Sequence, residues 1–89
     1  MPELRVVIKD PAGLHARPAA RFVQAASRFE SRIVIRHGDR EADAKSLIAL
    51  LGLTIPPSSE IVLAADGPDA DLALTSLAAE LAPYLDQPD

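Results

Sequence analysis

His15 is the residue with the plainest capacity for chemistry in this sequence, and its neighbours give that capacity a direction. It stands in Gly13-Leu14-His15-Ala16-Arg17-Pro18-Ala19, where a loop gives way to the first helical periodicity. The first backbone N–H groups of a helix have no intrahelical partner, and the aligned peptide dipoles place partial positive charge there, so such an end holds an anion. Pro18 in the first turn gives up an N–H that would have been orphaned and pre-sets the helical φ. A neutral imidazole offers a ring nitrogen as nucleophile near pH 7, and Arg17 in the same turn offers a planar donor fork for phosphoryl oxygens. A histidine ahead of a helix is ordinarily a solvated or capping residue. The conjunction of Gly13, His15, Arg17 and Pro18 is what points to a phosphorylated histidine.

The surrounding periodicities supply the frame. Leu4, Val6 and Ile8 alternate with Arg5, Val7 and Lys9, a strand with one core face, broken by Asp10-Pro11-Ala12-Gly13. Ala19, Phe22, Val23 and Ala26 fall on one stripe and predict a helix over about 16–28, with Phe22 and Phe29 in the core. Arg32 to His37 alternates again, and Gly38-Asp39 is a two-residue hairpin turn of the glycine-first kind, returning a short strand over Arg40 to Asp43. Ser46 opens a second helix, Leu-Ile-Ala-Leu-Leu-Gly-Leu; Glu60 to Ala65 is the fourth strand, after Pro56-Pro57-Ser58-Ser59. Ala70, Ala73, Leu74, Leu77, Ala78 and Leu81 predict a last helix over about 69–82, stopping at Pro83. The order βαββαβα implies an α+β open-faced sandwich, a four-stranded antiparallel sheet with three helices on one face. Arg5, Lys9, Arg32 and Arg36 are expected on the open face, and the tail from Asp86 is expected to fray.

Composition narrows the classes of function. Eighty-nine residues give one domain, 1–89, which buries roughly 60–65% of its unfolded surface and so favours a carrier or binding role over a deep-pocket enzyme. A net charge of −4 offers nothing for nucleic acid to attract globally. Absence of cysteine removes disulfides and thiolate metal sites, and His15 with His37 lacks the further ligands a metal needs, so neither cofactor nor metal is expected. The charged N-terminus and the shortness of every apolar run argue for a cytoplasmic chain with no membrane insertion. Size and acidity argue for a monomer.

Gly13-Leu14-His15-Ala16-Arg17-Pro18-Ala19 resembles the active-site signature of the histidine-containing phosphocarrier (HPr) family of the bacterial phosphoenolpyruvate-dependent phosphotransferase system. Ala44-Lys45-Ser46-Leu47, the chain length and the element order fall in register with the same family. The resemblance implies that His15 takes a phosphoryl group on Nδ1 from the phosphohistidine of enzyme I and passes it to a sugar-specific enzyme II A component, with Arg17 neutralising the group in transit. It implies that Ser46 is the target of a regulatory kinase and phosphorylase. It also implies a docking surface of Ala16, Ala20, Arg21 and Gln24 on the first helix with Leu47, Ile48 and Leu51 on the second.

The residues carry their own reading of those sites. Ser46 before an apolar run is an N-cap, and a phosphoryl group there would sit at a helix start that tolerates it. The second helix is apolar almost all round: Leu50 and Leu53 can face the sheet while Leu47, Ile48 and Leu51 look outward, or all of it can be core. Gln24 and Ser27 stand where relatives often carry lysines, Gly52 comes earlier than the glycine that often follows the second helix, and Pro56-Pro57-Ser58 replaces a turn that commonly ends in glycine. Three other functions compete: a nitrogen- or metabolism-linked paralogue with regulatory acceptors, favoured by Ile48-Ala49-Leu50-Leu51 and opposed by Lys45; a non-transferring regulatory module controlled at Ser46; and a small ligand-binding domain.

Overall fold

The computed structural model describes residues 2–9, 16–56 and 58–82. His15, the Asp10–Gly13 break, Pro57, Pro83 and the tail lie outside them. Four strands and three helices alternate as β1 (Glu3–Ile8), α1 (Ala16–Ala26), β2 (Arg32–His37), β3 (Arg40–Asp43), α2 (Leu47–Gly52), β4 (Ser59–Asp66) and α3 (Ala70–Leu81). The element order, the antiparallel pairing and the single helical layer are those the periodicities imply. Strand β4 gains one residue at each end over the sequence expectation, and α3 loses one at each end. Helix α1 stops at Ala26 instead of 28, because Arg28 and Phe29 donate to carbonyls three residues back, at Ala25 and Ala26, and so tighten the chain out of the α geometry. Helix α2 ends at Gly52, with Leu53 as its cap, bonded back to Leu50 and Leu51.

The sheet runs β1-β4-β2-β3, every pair antiparallel. Alternation sends Ile8, Ile33, Ile35, Ile61, Leu63 and Ala65 under the helices, where they meet Ala19, Phe22, Ala26, Leu50, Ala73, Leu77 and Leu81 in one core. Phe29 is partly buried against the same cluster. The β2–β3 hairpin turns at Gly38, whose φ of +64° is the conformation the glycine-first turn requires.

Two further features are set by chain crossings. Gly67, between β4 and α3, passes so close to the α1–β2 connection that a Cβ there would lie 2.6 Å from Ser31 Cα. Thr54 and Ser58 hold left-handed backbone, φ +52° and +63°, without being glycine, which costs roughly 1–2 kcal/mol each. The Ser58 N–H donates to Ile8 C=O at 2.6 Å and fastens this turn to the end of β1.

Candidate functional site

Helix α1 opens with Ala16 and carries Pro18 fully buried in its first turn, so the proline both starts the helix and seats it on the core. Arg17 and Arg21 are exposed, as is Gln24, and Ala20 is partly buried. The first turn of α1 has no acidic side chain, which leaves the positive end of its dipole unneutralised from within the helix and places the Arg17 guanidinium there as well. Both favour an anion at the position His15 immediately precedes in the chain.

Ser46 is the N-cap of α2. Its backbone is extended (φ −117°, ψ 110°), its C=O accepts from Leu50 N–H at 3.0 Å, and its Oγ accepts from Ala49 N–H at 3.2 Å. The residues before it are fastened in turn: Ala44 N–H donates to Ile33 C=O, Lys45 N–H to Asp43 Oδ1 at 2.9 Å, and Ser46 N–H to Asp43 C=O at 3.0 Å. Lys45 Nζ donates to Phe29 C=O at 2.7 Å, so α2 begins beside the closing turn of α1. At its other end the Arg40 guanidinium donates to Gly52 C=O at 3.0 Å, a cation on the negative end of the helix. Leu50 and Leu53 are buried, whereas Leu47 and Leu51 are 36% and 39% exposed and Ile48 is 87% exposed. Of the two arrangements open from sequence, the split helix is the one adopted.

Sequence reasoning missed a clasp at the end of α1. The Asp69 carboxylate accepts from Glu30 N–H and Ser31 N–H at 2.9 Å each and from Ser31 Oγ–H, while Asp69 N–H returns a bond to Ser31 Oγ. The Ser31 hydroxyl above all, then the Glu30 N–H, hold the Asp69 carboxyl below its usual value. Asp69 therefore bonds the α1–β2 connection and leaves the start of α3 without a side-chain cap. Local sequence carries no trace of this, because the partners are 38 and 39 residues apart. Among the described residues no group of three or more His, Cys, Asp or Glu side chains is placed to hold a metal, and no helix is long and apolar enough to cross a membrane.

Fold and site together define a class of small open-faced sandwich in which a helix start follows a histidine. The structure superposes on the histidine-containing phosphocarrier protein of a mycoplasma with a TM-score of 0.93, at 31% identity, covering 97% of this chain and all of that one. Residues 2–82 match the family described as the PTS HPr component phosphorylation site. The chain belongs to the HPr family. It is 39% identical over 79 residues to the HPr-like protein Crh of Bacillus subtilis, covering 89% of this chain and 93% of that protein. It is 46% identical over 69 residues to a multiphosphoryl transfer protein of Xanthomonas campestris, covering 78% of this chain but only 8% of that protein.

Proposed function

We propose that residues 1–89 act as one phosphocarrier domain in the cytoplasm, in which His15 accepts a phosphoryl group from phosphorylated enzyme I and passes it to a sugar-specific enzyme II A component. The P–N bond on the donor histidine breaks as the bond to His15 Nδ1 forms, and the reverse exchange follows at the acceptor, so no net hydrolysis occurs. Such a transfer is largely positioning and charge neutralisation, since the phosphoryl group passes through a loose transition state. Arg17 and the open N–H groups of α1 supply that neutralisation. Arg17 is fixed one residue past the helix start, and that observation carries the reading together with membership of the family.

Ala16, Ala20, Arg21, Gln24, Leu47, Ile48 and Leu51 form the docking surface for enzyme I and for acceptors. A regulatory kinase and phosphorylase acting on Ser46 would change the charge of this surface without unmaking α2. The chain works as a monomer and as a protein substrate of its partners, with no pocket for a cofactor.

Intact mass after incubation with phosphoenolpyruvate and a purified enzyme I tests the reading. The expected result is a gain of one acid-labile phosphoryl group that is absent from His15→Ala. No gain would favour a second reading, for which the similarity to Crh speaks: a regulatory module controlled at Ser46 alone.

A further inference from the structure

Helix α2 has only six residues, fewer than a helix needs to hold itself, so its setting depends on ties to the rest of the fold. Two of these ties are cations, and neither belongs to the helix whose end it meets. No basic side chain stands in the last turn of α1 or of α2. Arg40, from β3, donates to Gly52 C=O at the closing end of α2, and Lys45 Nζ donates to Phe29 C=O at 2.7 Å, just past the closing end of α1. Each cation meets the negative end of a helix dipole from outside that helix. Lys45 alone joins two helices, because the residue after it is the N-cap of α2. Among the described residues no other hydrogen bond links α1 and its closing turn to α2 and its cap.

The lysine is fixed at both of its ends. Its N–H donates to Asp43 Oδ1 at 2.9 Å, while Ala44 N–H and Ser46 N–H on either side donate to Ile33 C=O and Asp43 C=O, so its backbone is fastened to the β2–β3 pair. The half-buried side chain ends on Phe29 C=O, whereas Leu47, Ile48 and Leu51 are exposed. Apart from its caps, α2 is held to the core by Leu50 and Leu53. Apolar burial of that kind has no preferred direction, and a hydrogen bond to a carbonyl has one.

We propose that Lys45 is a positioning residue for phosphoryl transfer: by holding Phe29 C=O it sets Leu47, Ile48 and Leu51 of α2 in register with the docking residues of α1. The inference rests on the phosphocarrier reading and its two-helix docking surface. Lys45 itself meets neither the reacting group nor the partner. A partner that touches both helices at once reads their relative placement, and a shift of about 1 Å in one of them weakens docking before it slows the chemistry.

The test compares the parent with Lys45→Met, which keeps the stem and deletes the amine, with Lys45→Arg, which keeps a cationic donor, and with Asp69→Asn, which loosens the α1–β2 connection from its other side. Initial rates of transfer from enzyme I are measured against carrier concentration at about 50 mM and about 500 mM salt, beside thermal melts and backbone amide shifts of each free carrier. Lys45→Met is expected to raise KM about fivefold with kcat within about twofold, equally at both salt concentrations, and to move the amide shifts of Ile48 and Leu51. Lys45→Arg stays near the parent, and Asp69→Asn melts lower with the parent KM. A parent KM in Lys45→Met, a rise that disappears at high salt with the α2 shifts unmoved, or an equal rise in Asp69→Asn overturns the proposal while leaving the phosphocarrier reading intact. Should Lys45→Met melt before assay, Lys45→Gln decides by the same criteria. Failure of enzyme I to phosphorylate the parent overturns both.

Discussion

The open face of the sheet and the outer face of α1 and α2 are both rich in arginine, and they use it in opposite ways. On the sheet, Arg5 pairs with Glu60 at 3.1 Å and Arg36 pairs with Glu3. The register sets Glu3, Ala64 and Val34 in one row across β1, β4 and β2, so the Glu3–Arg36 pair reaches over β4. Val34 and Ala64 are buried although no helix lies on that side, and Glu3, Arg32, Arg36 and Glu41 line a shallow depression with Val34. On the helical face Arg17, Arg21 and Arg28 have no partner among the described residues, and Ile48 stands 87% exposed close by. Arg5 and Arg36 use their charge within the molecule, although Arg32 beside them does not; none of the three arginines of the helical face does so among the described residues.

The sharpest way to break this contrast is Ile48→Asp. The side chain holds almost nothing of the fold, so the melting temperature should stay within a few degrees, while KM for transfer from enzyme I rises about tenfold or more, as at an interface anchor. A large drop in melting temperature with unchanged KM would make Ile48 a structural residue and erase the distinction.

Asp69→Asn probes a charge that serves the fold. Its carboxyl is held low in the folded protein by the Ser31 hydroxyl and the Glu30 N–H, so its contribution is complete above the pKa of an unfolded aspartate and is lost as pH falls through the folded value. The variant should melt several degrees below the parent near neutral pH and the gap should close in acid, with KM for transfer unchanged. A gap that persists undiminished at low pH would mean that Asp69 acts through packing. Smallest of all is Arg5→Gln, which removes an exposed pair with side chains 73% and 57% accessible; stability should change by no more than about 0.5 kcal/mol and transfer kinetics not at all. A change in KM there would show that the sheet face also meets partners.

Much of this architecture is legible in the residues because each element is governed by one dominant period. The alternation of Ile33 and Ile35 with Arg32, Val34 and Arg36 gave the correct faces of β2, and the stripe from Ala70 to Leu81 gave α3 to within a residue at each end. The inward turn of Leu50 and Leu53 follows from helical spacing once Ser46 is recognised as the cap. What the chain hides is contact across long separations: the Asp69 clasp, the Lys45 bond to Phe29 C=O and the close passage of Gly67 over Ser31 join elements whose sequences carry no mark of one another. Thr54 and Ser58 escaped for a different reason, since left-handed backbone is ordinarily announced by glycine and here is enforced on residues that resist it. The reading of His15 rests on residue types alone, since it lies outside the described residues; the structure adds that α1 starts at Ala16, the next residue in the chain.

The placement of arginines beside exposed apolar residues also bears on how the chain meets itself. A two-fold axis that apposed the outer faces of α1 and α2 in two copies would set Arg17 and Arg21 either against their own copies or against the partner's Leu47, Ile48 and Leu51. The first sets like charges face to face, and the second strips water from guanidinium groups with no counter-ion to receive them. Such an axis would leave the exposed apolar residues poorly matched to an identical neighbour, whereas a complementary acidic surface would meet no such barrier.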